Sequence, residues 1–391
     1  MLTTTIKAST PAPIMDNDLP GEIDVSLIQL NDERETETET PPTISAPQVP
    51  STLFPKITGK VDELIENYTY RFGTESPTIK LTGTVKLHGT HADIVVEHDN
   101  SIRLQSRNRL SLDIEHDNYD VAASLLPLRT EILELAEKVK ERWREINYGN
   151  YGRKLEGDDP IILAGEWIGP GVQKKIGISK LPKRCFVILS ISINGEWQDS
   201  EEYVEIHNES VGIYNIARGG FYHEVLDFKD PETLENCKEK LMAHTMEVEK
   251  ECPFAKSFAI SGVGEGIVWK ADFPLCCEPR FWLKTKGAEH NVTRTDKLRK
   301  EEMKAGAGER AKVFAEAAVG EMRLLQAWDY LGEMGIARDK KGIQAFNQWL
   351  VKDVEVEEKK EILEMEVDKK ALKKAIAGLG RTWYFSKVGE C

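Results

Sequence analysis

The sequence predicts an α+β protein: antiparallel sheets with flanking helices, followed by an all-helical C-terminal domain. Three observations carry this expectation. Between about residues 52 and 290, short β-type apolar runs are interrupted by two long amphipathic stretches, the mixture expected of strands in sheets covered by a few helices. From residue 291 onward, helical segments follow one another, separated by Gly and Asp. Ahead of both, the first 51 residues show neither a helical nor a strand period.

Those first residues are rich in Thr, Pro and acids (ETETETPPTISAPQVP). Such a stretch buries too little apolar surface to offset its ordering entropy, so residues 1–51 read as a disordered acidic leader. The domain over 52–290 opens with β-type runs at Ile79–Leu87 and Ala92–Glu97, and IRLQSRNRL is strand-like and ends in arginines. Further runs follow at Ile161–Glu166, Phe186–Ile193, Gly266–Lys270 and Phe281–Lys284. Asn194-Gly195, after ILSISI and before EWQ, reads as a hairpin turn. The two helical stretches are Val121–Arg144 and Pro231–Glu251. In the domain over 291–391 the expected helices are Asp296–Val319, Glu321–Gly332, Lys341–Val351, Glu355–Glu364 and Lys369–Ile376.

Of the 391 residues, 40% are hydrophobic, enough for a real core. No apolar run approaches the roughly eighteen residues of a membrane helix, and the N-terminus has no signal-peptide pattern. Cys185, Cys237, Cys252, Cys276, Cys277 and Cys391 show no CxxC spacing. The expectation is reduced thiols in an intracellular protein, cytoplasmic or nuclear, with no membrane partner and no structural zinc. A monomer is favoured. Net charge is −14, but nine acids and only two bases fall in residues 1–50, so half the imbalance lies in the leader. A cleft's field depends on nearby charges, so the total does not exclude a nucleic-acid partner.

Five small charged islands stand at the edges of apolar runs: Lys86-Leu87-His88-Gly89-Thr90, Ser106-Arg107, Glu166 within AGEWIGPG, Glu265-Gly266-Ile267-Val268-Trp269-Lys270, and Lys284-Thr285-Lys286. Lys86 ends an alternating run, and Gly89 lets the backbone turn tightly behind it. A lysine that attacks phosphorus must first lose its proton, which nearby cations favour; Lys270, Lys284 and Lys286 are available if the strands converge. Arg107 carries a guanidinium fork suited to phosphate. Glu166 closes a buried run and needs a hydrogen-bonding partner there. Lys284 and Lys286 share a strand face, where two ammonium groups repel unless an anion lies between them. Gly262, Gly264 and Gly266 do not form a dinucleotide fingerprint, because β-type residues follow where a helix would be required. Phe186, within RCFVILSI, reads as core on composition alone.

In this order the islands resemble the covalent nucleotidyltransferases, most closely the RNA ligase 2 family of ATP-dependent polynucleotide ligases, over roughly residues 52–290. The resemblance implies a nucleotidyltransferase (adenylyltransferase) domain in which Lys86 forms a phosphoramidate with AMP. It implies that Arg107 contacts the nucleotide or a 5′-phosphate, Glu166 reads the ribose hydroxyls and Phe186 stacks on adenine. His88 and Gly89 would belong to the nucleotide site, with Lys270 a further phosphate contact. Lys284 and Lys286 would stabilise the transferring phosphate, and Glu265 would help hold Mg2+. His88 separates the motif from DNA ligases and capping enzymes, which usually carry Asp there. His91 departs from the family's frequent Asn.

The implied activity is ATP-dependent sealing of 5′-phosphate and 3′-hydroxyl RNA ends in RNA repair or processing, with a nicked duplex or structured RNA as partner. The rival enzyme classes are a capping guanylyltransferase and a DNA ligase. A catalytically silent RNA-binding or adaptor protein on the same fold is the rival outside enzymes.

Overall fold

Two sheets face each other across a cleft, and the C-terminal helices pack against the cationic edge of that cleft. The computed structural model describes residues 54–148, 155, 159–287 and 307–390. In chain order, the first part comprises α1 (Val61–Phe72), β1 (Thr78–Lys86), β2 (Thr90–Val96), β3 (Ile102–Ser106), α2 (Val121–Leu125), α3 (Arg129–Ile146) and β4 (Ile161–Ile168). There follow β5 (Cys185–Ile193), β6 (Glu196–Trp197), β7 (Ile213–Asn215), β8 (Phe221–Asp227), α4 (Pro231–Lys250), α5 (Pro253–Lys256), β9 (Gly266–Ala271) and β10 (Trp282–Lys286). The last part is helical: α6 (Ala307–Ala318), α7 (Glu321–Glu333), α8 (Ile343–Glu357), α9 (Lys359–Glu364) and α10 (Lys369–Glu390). No described helix is long and apolar enough to cross a membrane.

The first sheet has the order β10-β9-β1-β8 and is antiparallel throughout. The second runs β3-β2-β4-β5-β6, also antiparallel, with β7 added parallel to β5. Alternation along β1 sorts its side chains by face: Ile79, Leu81 and Val85 enter a core with Trp269, Leu241 and Val248 beneath α4. Helix α4 is started by Asp230, whose carboxylate accepts the Thr233 N–H at 2.9 Å, and by Pro231 at its first position. The opposite face of the sheet looks into the cleft. There Trp282 packs with Val95, Ile162, Ala164 and Trp197 from the second sheet, and Lys270 Nζ donates to Ser190 Oγ at 2.8 Å. These contacts close the base of the cleft and fix the spacing of the sheets.

The C-terminal helices have their own core around Phe314, Leu331, Phe346, Leu350, Ile376 and Tyr384. Arg323, fully buried on α7, donates to Asp353 at 2.8 Å and to Glu358 at 3.1 Å, tying α7 to the end of α8.

Several elements depart from expectation for identifiable reasons. The helix expected over Val121–Arg144 is broken into α2, a 3-10 turn and α3 at Pro127, which has no N–H to donate. Helix α10 continues well past Ile376, through Gly378 and Gly380. A Cβ on Gly380 would lie 2.4 Å from Asn347 Oδ1 and 2.8 Å from Leu350 Cδ1, so that glycine permits close helix packing and is not a stop. Helix α1 and the half-exposed edge strand β8 were not anticipated. The Asn194-Gly195 turn forms with φ of 58° and 72°, the positive pair a tight hairpin requires. The leader, the boundary at 290/291 and the first part of the helix expected over Asp296–Val319 lie outside the described residues.

Candidate active site

Three strand ends converge by register. Lys86, the last residue of β1, lies opposite Gly266, and Gly266 lies opposite Lys286 on β10. Glu265 therefore stands between two lysines from its two neighbouring strands. Gly266 is required for this approach, because a Cβ there would meet Thr285 O at 2.1 Å. The Gly287 N–H also donates to Glu265 O at 3.1 Å, holding the chain beside the end of β10.

The resulting cluster is tight. Lys86 Nζ donates to Glu265 Oε2 at 2.7 Å, and Lys286 Nζ lies 2.9 Å from Glu265 Oε1. His88 Nδ1 lies 3.2 Å from Glu265 Oε2. The Glu265 side chain is 1% exposed, whereas Lys86 is 21% exposed, so the carboxylate is the buried anchor and the amine faces the opening. Burial alone would raise the Glu265 pKa, but Lys286, Lys86 and His88 outweigh it and hold the carboxyl well below its usual range. Burial lowers Lys286, opposed by Glu265 and assisted by Lys86 and Arg107. Lys284 is drawn down to about 8, first by burial; Glu357 supports its charge, while Lys286, Lys86 and Arg107 oppose it.

Glu166 lies under the loop after β1. A Cβ on Gly89 would sit 2.4 Å from Trp167 O and 2.9 Å from Glu166 Oε2, so only glycine lets this loop cross β4. Burial raises the Glu166 pKa, against the attraction of Lys86 and His91, and its Oε2 is buried with no hydrogen-bond partner. His91, opposite Glu166 on β2, is buried with its Nε2 2.9 Å from Asp93 Oδ1. Arg107 is exposed beyond the end of β3, and its charge is felt at Glu166, Lys284 and Lys286.

Two expected site residues are not brought to this cluster. Phe186 is fully buried and pairs with Trp167, with which it shares the second sheet's other core. The cleft-side position is held by Val187, opposite Glu166. Alternation on β5 thus turns Phe186 away from the face that Glu166 occupies. Lys270 faces the cleft but lies four residues along β9 from Gly266, roughly 13 Å away. It is buried, donates to Ser190 at 2.8 Å and Ser200 at 2.9 Å, and lies 4.3 Å from the Trp282 ring. Its pKa is pulled down to about 8 by burial. Lys270 joins the two sheets in this structure instead of lying beside Lys284 and Lys286.

The C-terminal helices also supply a set of acids to this cluster that no sequence motif marks. Glu357, at the end of α8, lies 2.6 Å from Lys56 Nζ and 3.9 Å from Lys284 Nζ. Glu333, at the end of α7, accepts from Ser106 Oγ and Asn108 Nδ2 on either side of Arg107. Asp329 accepts from Gln173 at 3.3 Å. Nothing local in the sequence distinguishes these acids from solvated helix residues.

Both carboxylates of the cleft, Glu166 and Glu265, are hard oxygen donors, although no group of three His, Cys, Asp or Glu side chains that could hold a metal ion occurs among the described residues. The cluster is suited to an anion at its mouth. Lys86, Lys284, Lys286 and Arg107 supply positive charge, and Glu265 fixes two of the lysines from below.

The family model described as RNA ligase matches residues 79–286, just over half of the chain, and the protein belongs to that family. Among solved structures it is similar to a mutant of Naegleria gruberi RNA ligase with ATP and Mn, at a TM-score of 0.39 and 15% identity, covering 62% of this chain and 57% of that one. A mutant of the same ligase with AMP and Mn gives 0.38 and 16% over 60% and 56% of the two chains. The Naegleria gruberi ligase with PPi gives 0.37 and 15% over 63% and 58%. The chain therefore spans less than two thirds of the length of these structures. No curated protein matches it.

Proposed function

We propose that this RNA ligase family member seals 5′-phosphate and 3′-hydroxyl RNA ends with ATP, through AMP carried on Lys86. The observation that carries the reading is the convergence of Lys86, His88 and Lys286 on the buried carboxylate of Glu265, inside the region the family model matches.

In the first step Lys86 Nζ, its ammonium proton having passed to solvent water, bonds to the α-phosphorus of ATP as the bond to pyrophosphate breaks, and the proton released from the nitrogen as the phosphoramidate forms also passes to water. Glu265, held well below the usual carboxylate range, is a poor proton acceptor; its part is to hold Lys86 and Lys286 in place. Lys284 and Lys286, with Arg107 near them, receive the charge on the departing pyrophosphate. AMP then passes to an oxygen of the RNA 5′-phosphate as the N–P bond breaks. Last, the 3′-hydroxyl attacks that 5′-phosphorus and AMP leaves. Each step depends on positioning and charge neutralisation.

The unpaired buried Oε2 of Glu166 is an acceptor awaiting a donor, which suits a ribose hydroxyl. Magnesium commonly takes one or two carboxylates and completes its shell with water and substrate phosphates; Glu265 would hold it by giving up one of the lysine contacts that its two oxygens make here. When bound, the ion would neutralise phosphate charge. The test is a nicked RNA duplex with a labelled 5′-phosphate, incubated with ATP and magnesium. The reading expects a sealed strand from the wild-type protein and none from Lys86→Ala. Sealing of nicked DNA alone, or AMP attachment replaced by GMP attachment, would transfer the protein to the DNA ligase or capping class.

A further inference from the structure

Helices α7 and α8 both end on a glutamate, Glu333 and Glu357, and neither carries a base in its last turn. The C-terminal end of a helix is the negative end of its dipole, where an acid weakens the helix and a base would support it. Helix stability therefore does not account for these acids. Their partners do, and those partners belong to the two sheets. Glu357 reaches Lys56 at 2.6 Å and Lys284, on β10 of the first sheet, at 3.9 Å. Burial would raise its carboxyl, but Lys284 and Lys56 outweigh burial and hold it below the usual range, so it is charged.

Glu333 fills a more complete anion position, at the end of β3 in the second sheet. One of its oxygens accepts from the Ser106 hydroxyl and from the Asn108 N–H, the latter at 3.4 Å, and the other accepts from the Asn108 side-chain amide. These three donors flank Arg107. The loop that carries them is closed by its own bonds: Ser106 N–H donates to Arg109 O at 2.8 Å, and Arg109 N–H donates to Ser106 Oγ at 3.1 Å. The donors would thus keep their places if Glu333 left, and a phosphate oxygen accepts from the same groups as a carboxylate oxygen. Four residues earlier on α7, Asp329 accepts from Gln173, on the loop after β4, at 3.3 Å. The ends of α7 and α8 therefore set a carboxylate against each sheet.

We infer that Glu333 and Glu357 form an autoinhibitory clasp, in which the ends of α7 and α8 hold the anion positions beside Arg107 and Lys284 until phosphates displace them. This rests on the ligase reading above and adds its regulation: the phosphates of ATP replace Glu357, and the RNA 5′-phosphate replaces Glu333. Single carboxylates suit that use. Each carries one charge, and Glu357 is 27% exposed, so water screens its pairs. A polyphosphate brings several charges to the same donors. A site closed in about two thirds of the molecules binds its ligand about three-fold more weakly than an open one.

The test uses the full chain carrying Glu333→Gln and Glu357→Gln together. Glu66→Gln with Glu355→Gln is the matched control. It removes the same charge and two ion pairs, to Lys360 at 2.9 Å and to Lys373 at 3.2 Å, whose bases stand outside the cationic cluster. Pyrophosphate affinity is read by calorimetry, affinity for a short RNA with a 5′-phosphate or a 5′-hydroxyl by anisotropy, and AMP labelling at low ATP. Assays at about pH 6.5, below the Lys284 midpoint of about 8, keep that ammonium charged. The double variant should bind pyrophosphate and 5′-phosphorylated RNA at least about three-fold more tightly than the control, and label faster by a similar factor. Affinities equal to the control's or weaker, or a gain shared in full by 5′-hydroxyl RNA, would overturn this inference; with labelling intact they leave the ligase reading standing. Wild-type protein that takes up no AMP would instead remove the ligase reading, while tighter pyrophosphate binding in the double variant would still support the clasp.

Discussion

Lys86 Nζ lies 2.7 Å from Glu265 Oε2, and the same carboxylate holds Lys286 at 2.9 Å through its other oxygen. One buried acid thus sets the position of two lysines on different strands. Glu265→Gln would leave two neighbouring ammonium groups without their counter-charge. Breaking such a pair should cost on the order of 3 kcal/mol, seen as a lower urea midpoint. AMP attachment should slow by at least about 100-fold, measured as single-turnover labelling. A variant that keeps wild-type stability and rate would show that Glu265 does not organise the cluster.

Lys284 gives a pH signature. Its ammonium is drawn down to about 8, so it is charged below that pH and neutral above it. Pyrophosphate affinity, followed by calorimetry, should fall as pH rises through about 8. Glu357 supports the charged form, so Glu357→Gln should move the midpoint lower. At neutral pH the same substitution removes a carboxylate that competes with phosphate for Lys284. An unchanged midpoint would detach Glu357 from Lys284.

Gly89→Ala tests the loop over Glu166. The added methyl would meet Trp167 O at 2.4 Å and Ile168 Cγ2 at 2.7 Å. The expected cost is about 1–3 kcal/mol, with slower labelling because Lys86 is displaced along with the loop. Thermal melting and labelling rates would read both.

Phe186 separates two roles cleanly. As a core residue facing Trp167, it should cost about 3–5 kcal/mol when cut to Ala, while Phe186→Leu should be mild and leave ATP affinity unchanged. A fall in ATP affinity in Phe186→Leu, with stability preserved, would restore the adenine-stacking role.

Much of the fold was legible because strand runs and helical stretches differ in period. The site was legible where charge sits at a strand end: Lys86, Glu265 and Lys286 each close or open an apolar run, and antiparallel register then brings them together. Phe186 was harder to read, because RCFVILSI is apolar on both faces and does not reveal which side meets the cleft. Lys270 shares the EGIVWK island with Glu265, yet strand rise carries it to the cleft base. The Glu357 contact with Lys284 joins residues distant in sequence through helix packing, which no local pattern encodes.

The most direct measurement is incubation with α-labelled ATP and magnesium, denaturing electrophoresis, and peptide mapping of the label. The account predicts label on the peptide containing Lys86 and none in Lys86→Ala. Label that persists in Lys86→Ala, or folded wild-type protein free of bound AMP that takes up none, would contradict it.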